Sequence, residues 1–424
     1  MRRSSPLKRP SVLIAAVSGR TLARSARRAG FTPLVADFFA DLDTQEAAHA
    51  CRKLADIAQG FQWASLSRAL GALEAESPSP ILGLVYGSGF EDRPELLARI
   101  AKRWTLLGND AVTVEALKDP ESFFGTLDRQ GIAHPATSCR RPARSADAWL
   151  VKRKGGAGGG HIGASGKRLK PGDAYYQERI EGRPISALFV ANGHEARVLG
   201  FSEQWTSPSK LRPFRYGGAV RGGRLDAATK TAMVSAIGRL TPVFAIKGLA
   251  SADFLVNEEH VLLLEINPRP GATLDIFDSA AAPLLRIHVD AVTQGKLPNR
   301  PLKLQGAMAS AIVFAPRRIH VPFTMRWPNW AADKPKRGEL IDKNRPICTV
   351  WARAGTKARA KNLVEARTKT VLAWIKSKCR GDYREQNGQK GGRERDLSRG
   401  ATERQHPSRA GGQIHNRGRT GAAR

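Results

Sequence analysis

Cysteine is scarce in this chain. Cys51, Cys139, Cys348 and Cys379 are the only four, scattered with no Cys-x-x-Cys pair and no nearby histidine partner. A zinc site needs four clustered nitrogen or sulfur ligands, and this spacing does not supply them. Neither spacing nor targeting points to an oxidising compartment, so the thiols read as reduced packing residues. Long apolar runs are also missing. Stretches such as Val12 to Val17 and Val261 to Leu264 are far too short to cross a bilayer. The basic segment Met1 to Pro10 leads into an apolar stretch of only about six residues, shorter than a secretory signal requires. The expectation is a cytoplasmic protein with no membrane partner.

Acidic residues are few as well. Asp and Glu number 38 against 69 Lys and Arg, which leaves a net charge of +31. A field of that sign attracts polyanions, nucleotides and acidic small molecules. No helix-turn-helix pattern, zinc-finger spacing or aromatic RNA-binding motif accompanies it, so nucleic acid is not the expected partner. What the chain does have is length. Its 424 residues, 41% of them hydrophobic, suffice for two or three domains with real cores.

The first of these reads as an alternation of strands and helices. Val12 to Val17 is the short apolar run of a buried parallel strand, Ser18-Gly19-Arg20 a turn, and Thr21 to Ala29 a helix ending at Gly30. Pro33 to Asp37 and Ile81 to Gly87 continue the sheet, and Pro94 to Arg103 adds a helix. This order predicts a parallel sheet covered on both faces. Glu115 to Gln130 carries helical spacing, with Phe123, Phe124 and Leu127 on one face. From there to about Arg300, strands alternate with Gly-rich turns around one clear helix, Ala227 to Leu240. The expected domains are 1–110, 111–300 and a small β-rich piece at 301–378, closed by an amphipathic helix from Asn362 to Ile375. Residues 379–424 are rich in Gly, Arg, Gln and Ser with almost no aliphatic side chains, and predict a disordered basic tail.

Three motifs occur in a fixed order. In Trp149-Leu150-Val151-Lys152-Arg153-Lys154-Gly155-Gly156-Ala157-Gly158-Gly159-Gly160-His161-Ile162, a strand ends in lysine and a glycine run turns back into another strand. Glycines such as Gly156, Gly158 and Gly159 let backbone N–H groups approach phosphate oxygens, and Lys152 adds a point charge. No Gly-Lys-Ser/Thr follows, so this is not a Walker A loop. The second motif, Tyr176-Gln177-Glu178-Arg179-Ile180-Glu181-Gly182-Arg183, puts acidic groups around a turn between strands, where they can accept from an amino group or ribose hydroxyls. The third runs from Ser251 to Pro270. Two strands joined by a short polar turn bring Asp253 beside Glu265, and Asn267, two residues further on, faces the same way. Three oxygen donors on one surface suit Mg²⁺, which takes few protein carboxylates and completes its shell with phosphates and water. Arg269 is placed to neutralise a transferring phosphoryl group.

On these motifs, over roughly Ser11 to Val350, the sequence resembles the ATP-grasp superfamily, in particular its biotin-carboxylase and PurK-like branch. The resemblance implies an α/β plus α+β architecture: a Rossmann-like pre-ATP-grasp domain, two lobes holding ATP, and a small β-rich end. It makes Lys152 the phosphate-binding lysine and Gly156, Gly158 and Gly159 part of the phosphate cover. Glu178 is implied to meet the adenine amino group, with Ile180 offering its backbone and Glu181 the ribose contact. Asp253, Glu265 and Asn267 become the ligands of Mg²⁺ or Mn²⁺, and Arg269 and Lys152 the catalytic cations. Two departures stand out. The family usually carries an Asp-Lys pair where Lys118-Asp119-Pro120 stands here, so Lys118 is the candidate to replace the missing ATP-contacting lysine. Pro268 to Thr273 replaces the sequence of a true biotin carboxylase.

The implied activity is an ATP-dependent carboxylate–amine ligase that forms an acyl phosphate, with a small-molecule carboxylate and amine as partners. Two alternatives stay open: a carboxylase-like enzyme using bicarbonate, and a non-catalytic binder of nucleotide or nucleic acid. Relatives are often dimers, which makes a homodimer an expectation. The basic, aromatic segment Trp205 to Arg221, with Lys210, Arg212, Arg215 and Tyr216, is the expected neighbour of the substrate.

Overall fold

A computed structural model of the chain describes residues 9–142, 148–164 and 172–396. The first layer is a parallel sheet in the order β3-β2-β1-β4, built from β1 (Ser11–Ala15), β2 (Thr32–Asp37), β3 (Ala50–Lys53) and β4 (Ile81–Tyr86). The helices between them are α1 (Arg20–Arg28), α2 (Leu42–Ala47) and α3 (Trp63–Ala75), with α4 (Pro94–Ala101) after β4. Every residue of β1 is buried, because a parallel strand covered on both faces has no side for water. The strand order reverses between β1 and β4. In such sheets the crevice at the carboxyl ends of those two strands is where ligands bind, and it opens here toward the rest of the chain.

The single helix read over Glu115 to Gln130 is two helices, α5 (Ala111–Lys118) and α6 (Pro120–Arg129). Pro120 cannot donate to a preceding turn, and Asp119 caps the second helix by accepting from Ser122 N–H at 3.0 Å. The break leaves Lys118 as the last residue of α5, free to turn inward.

A small antiparallel sheet, order β5-β8-β6-β7, contains β5 (Thr137–Ser138), β6 (Trp149–Arg153), β7 (Ile162–Ala164) and β8 (Ala174–Glu178). The larger sheet has eight strands in the order β13-β12-β9-β10-β11-β14-β18-β16. They are β9 (Arg183–Asn192), β10 (Ala196–Thr206), β11 (Tyr216–Arg221), β12 (Lys247–Val256), β13 (Val261–Asn267), β14 (Ala307–Phe314), β16 (Ala331–Ala332) and β18 (Pro346–Ala354). A two-stranded ribbon, β15 (Ile319–His320) with β17 (Leu340–Ile341), completes the β structure. Because β11 pairs with β14, the sheet runs unbroken across residue 300.

Alternation along β12 decides what each face of this sheet does. Ala250, Ala252 and Phe254 point into a core with Met233, Ile237, Leu240 and Phe244 of α7 (Ala227–Phe244), whose burial contributes about 1.5–3 kcal/mol per side chain. Ser251 and Asp253 are therefore turned to the opposite face. There α8 (Leu274–Phe277) and α9 (Leu284–Gln294) pack with α1 and β1 into a second core. The last helix, α10 (Lys357–Asp396), lays Ala360, Val364, Val371 and Ile375 on β14 and β18. Its backbone continues past Cys379, where composition predicts disorder. Helical hydrogen bonds are local, so a helix can run on past the sheet it packs against. The remainder of the expected tail lies outside the described residues.

Candidate active site

The carboxylates come from the β12–β13 hairpin. Asp253 pairs directly with Glu265, and Ser251 with Asn267, with a register shift beside Asp253. Asp253 Oδ1 accepts from Ser186 Oγ at 2.5 Å and from Gln204 Nε2 at 3.3 Å, and Oδ2 accepts from Asn267 Nδ2 at 3.1 Å. Lys118 Nζ donates to Glu265 Oε2 at 3.2 Å and to Asn267 Oδ1 at 3.0 Å. The end of α5 thus closes on the hairpin, where Lys118 meets one carboxylate and one amide oxygen.

Burial raises the Asp253 carboxyl to about 6, and the neighbouring Glu265 charge adds to the rise. Burial acts on Glu265 in the same direction, but Lys118, His161 and Lys152 outweigh it and hold that carboxyl down at about 2. Two carboxylates that face one another in a buried place favour a cation between them. No group of three or more His, Cys, Asp or Glu side chains gathers as a metal cage among the described residues. Two carboxylates and an amide nevertheless fit Mg²⁺, which takes one or two carboxylates and leaves its other positions to phosphates and water.

Lys152, on β6, is buried and donates to Gln177 Oε1 at 2.5 Å; Gln177 Nε2 in turn donates to Thr137 Oγ1 at 3.3 Å. Desolvation lowers the lysine to about 8, with Glu265 opposing and Lys118 reinforcing the shift. The glycine loop after β6 folds down over these groups. Tyr216 N–H donates to Gly158 O at 3.0 Å. At Gly159, φ is +69° and a Cβ would lie 1.9 Å from Phe214 O, so only glycine fits the contact. Beneath the loop lies a narrow cleft whose walls include Lys118, Phe124, Gly156, His161, Tyr175 and Glu265.

Arg269 faces the same region but is not free. Its Nε donates to Glu91 Oε1 at 2.7 Å and its Nη2 reaches Asn267 Oδ1 at 3.4 Å. Glu91 follows β4 in the crevice of the first sheet and also accepts from Gly89 N–H at 2.6 Å. Burial raises this carboxyl, but Arg269, Lys118 and Gly89 N–H prevail and the net shift is downward. The turn before Arg269 is held by Asn109 Nδ2, which donates to Pro268 O at 2.8 Å.

The structure therefore gathers Lys118, Lys152, Asp253, Glu265, Asn267 and Arg269, and puts Gly156 in the wall of the adjoining cleft. Glu178 ends β8, and Ile180 and Glu181 lie in the connection to β9, between the two sheets. Gly158 and Gly159 meet the Phe214–Tyr216 segment. Within Trp205 to Arg221, Lys210 and Arg212 are exposed. Arg215 is occupied by the carbonyls of Ser207 at 2.8 Å and Asn344 at 3.2 Å, and stacks on Phe314. Sequence reasoning did not single out Glu91, Gln177, Ser186 or Gln204. Only Glu91 left a signal, as an acid in the loop after a strand that borders the sheet's switch point.

Residues 119–273 match the family model of the ATP-grasp domain. An uncharacterized protein of Methanocaldococcus jannaschii is 26% identical over 193 residues, which make up 45% of this chain and 45% of that protein. The chain thus spans less than half the length of the curated relative it matches. Among solved structures, the biotin carboxylase domain of the Hydrogenobacter thermophilus 2-oxoglutarate carboxylase superposes with a TM-score of 0.64 at 11% identity, covering 84% of this chain and 88% of that one. An L-amino acid ligase of Bacillus licheniformis reaches 0.61 at 14%, covering 85% and 97%. The N5-carboxyaminoimidazole ribonucleotide synthetase of Thermotoga maritima reaches 0.59 at 14%, covering 85% and 98%. No helix among the described residues is long and apolar enough to cross a membrane. Residues 119–273 thus carry the match to the ATP-grasp domain, and the chain as a whole shares its fold with these solved structures.

Proposed function

We propose that the protein is an ATP- and Mg²⁺-dependent ligase that converts a carboxylate substrate to its acyl phosphate and couples it to an amine. The observation that carries the proposal is the convergence of Asp253, Glu265 and Asn267 with Lys118 and Lys152 beneath a folded-down glycine loop. The solved 2-oxoglutarate carboxylase domain carries MgADP, ADP and bicarbonate, which supports nucleotide and metal use on this fold.

Bound MgATP supplies the phosphoryl group and the divalent charge that polarises it. Asp253, Glu265 and Asn267 are the residues to hold the metal. Lys118, engaged by Glu265 and Asn267, would supply one positive charge toward the phosphates. Lys152, already desolvated, provides a second fixed charge, and its burial makes each of its contacts worth more than in water. Arg269, oriented by Glu91, faces the charge that develops as the carboxylate attacks in line. The glycine loop keeps water from the acyl phosphate until the amine arrives.

Calorimetry of ATP with and without Mg²⁺, on the intact protein and on Glu265→Ala and Asn267→Ala, tests the reading. Metal-dependent binding that both substitutions abolish supports it, and no nucleotide binding by the intact protein overturns it. Phosphate release then separates the reactions. Stimulation by an amine supports the ligase, and stimulation by bicarbonate instead assigns a carboxylase-like reaction.

A further inference from the structure

Lys152 is held by a neighbour that carries no charge. Its Nζ donates to Gln177 Oε1 at 2.5 Å, and the two residues are 6% and 1% exposed. A buried ammonium is usually matched by a carboxylate. Here an amide gives it an acceptor and leaves its positive charge uncancelled. Lys118, Asp253 and Glu265 lie within electrostatic reach, so this charge stands beside the β12–β13 hairpin.

The amide is locked in one orientation by hydrogen bonds that all run the same way. Thr137 Oγ1 donates its single hydrogen to Pro135 O at 2.9 Å, which leaves it only as an acceptor toward its other neighbour. That neighbour is Gln177 Nε2, at 3.3 Å. The amide nitrogen is thereby committed to Thr137, and the carbonyl oxygen is the end turned to Lys152. A flipped amide would face donor to donor at Lys152 and acceptor to acceptor at Thr137. Strand register builds the row. Thr137 of β5 lies opposite Gln177 of β8, and Gln177 lies opposite Leu150, two residues before Lys152 on the same face of β6. Diagonal neighbours of that kind are within reach of long side chains.

Resting on the ATP-grasp reading above, we propose that Gln177 is a positioning residue for phosphate binding: oriented by Thr137, it fixes the Lys152 ammonium while leaving its charge free to act on the nucleotide phosphates. The flexible lysine stem is then ordered before the nucleotide arrives, which removes that cost from binding. An ammonium has more donor hydrogens than Gln177 takes, so the same group can hold the amide and a phosphate oxygen together.

MgADP binding to the full-length protein is to be measured by calorimetry, with thermal melts on the same samples. Gln177→Met, close in shape but without the acceptor, should weaken binding about tenfold, the usual loss for a hydrogen bond to a charged group. Gln177→Glu should weaken it as well, because a carboxylate competes with phosphate for the ammonium. Thr137→Val frees the amide to turn and should cost about threefold, as for a weak neutral bond. Thr137→Ser keeps the hydroxyl and should bind like the intact protein; this pair decides the matter if Gln177→Met does not fold. In a Mg²⁺ titration at saturating ADP, the half-maximal concentration should be unchanged in every variant, since the defect lies at the lysine. Intact affinity in a folded Gln177→Met, a Thr137→Val that binds like the intact protein, or a Thr137→Ser as weak as Thr137→Val would overturn the proposal while the ATP-grasp reading stands. A shifted Mg²⁺ requirement would do the same, by assigning the loss to general disruption of the site. Absence of MgADP and MgATP binding by the intact protein would overturn both.

Discussion

The buried pair between Glu91 and Arg269 joins the first sheet to the end of the β12–β13 hairpin, and its removal gives the sharpest stability test. The side chains are 3% and 9% exposed and 2.7 Å apart. Replacing Glu91 with Gln keeps its shape and an acceptor for Gly89 N–H but strands the Arg269 charge. Breaking one side of such a pair costs about 3–5 kcal/mol. Replacing both residues, as in Glu91→Gln with Arg269→Met, removes the stranded charge, so the double variant should lose about 2 kcal/mol less than the sum of the singles. Glu91 is depressed in the folded state. Its stabilisation is therefore present above the unfolded value of about 4.3 and is lost as pH falls through the lower folded value. Urea denaturation of the four proteins at pH 7.5 and through the acid range measures both effects. The intact protein and Glu91→Gln should differ by about 3 kcal/mol at neutral pH and converge in acid. A difference under about 0.5 kcal/mol at pH 7.5, typical of surface sites, would refute the reasoning.

Two further outcomes are expected. Lys152→Met should abolish nucleotide binding without lowering the melting temperature, because the substitution removes a buried cation whose desolvation already lowers it to about 8; thermal melts and calorimetry on one sample check both. His288 is buried, accepts from Leu249 N–H at Nδ1 and bonds Leu107 O through Nε2, and burial lowers it to about 4. The unfolded chain therefore binds this proton first, so stability should fall as pH drops from about 6.5 to about 4, by roughly 3 kcal/mol in all. His288→Gln should flatten that part of a pH–stability profile.

The legible features were those set by local chemistry. Val12 to Val17 and Ile81 to Gly87 were readable as buried parallel strands because continuous apolar runs have few other uses. Asp253, Glu265 and Asn267 were readable as neighbours because a hairpin with a short turn brings strand residues together at fixed register, and period-2 alternation sets their face. The glycine loop was readable because so many glycines in a row cost stability unless a backbone must come close to something.

The tertiary structure decided the rest, and the reason is sequence distance. Glu91 lies 178 residues from Arg269, and Lys118 lies 147 from Glu265, so no local pattern records either pairing. The split at Pro120 was visible as composition, but that it turns Lys118 into the site depends on where α5 docks. Arg215 shows the opposite case: its sequence context suggests an anion site, yet packing against Phe314 and two backbone carbonyls occupies it. The chain by itself determined which chemistry was carried and on which strands. Docking of the first sheet onto the hairpin, through burial that no short-range rule encodes, determined which cations answer which carboxylates.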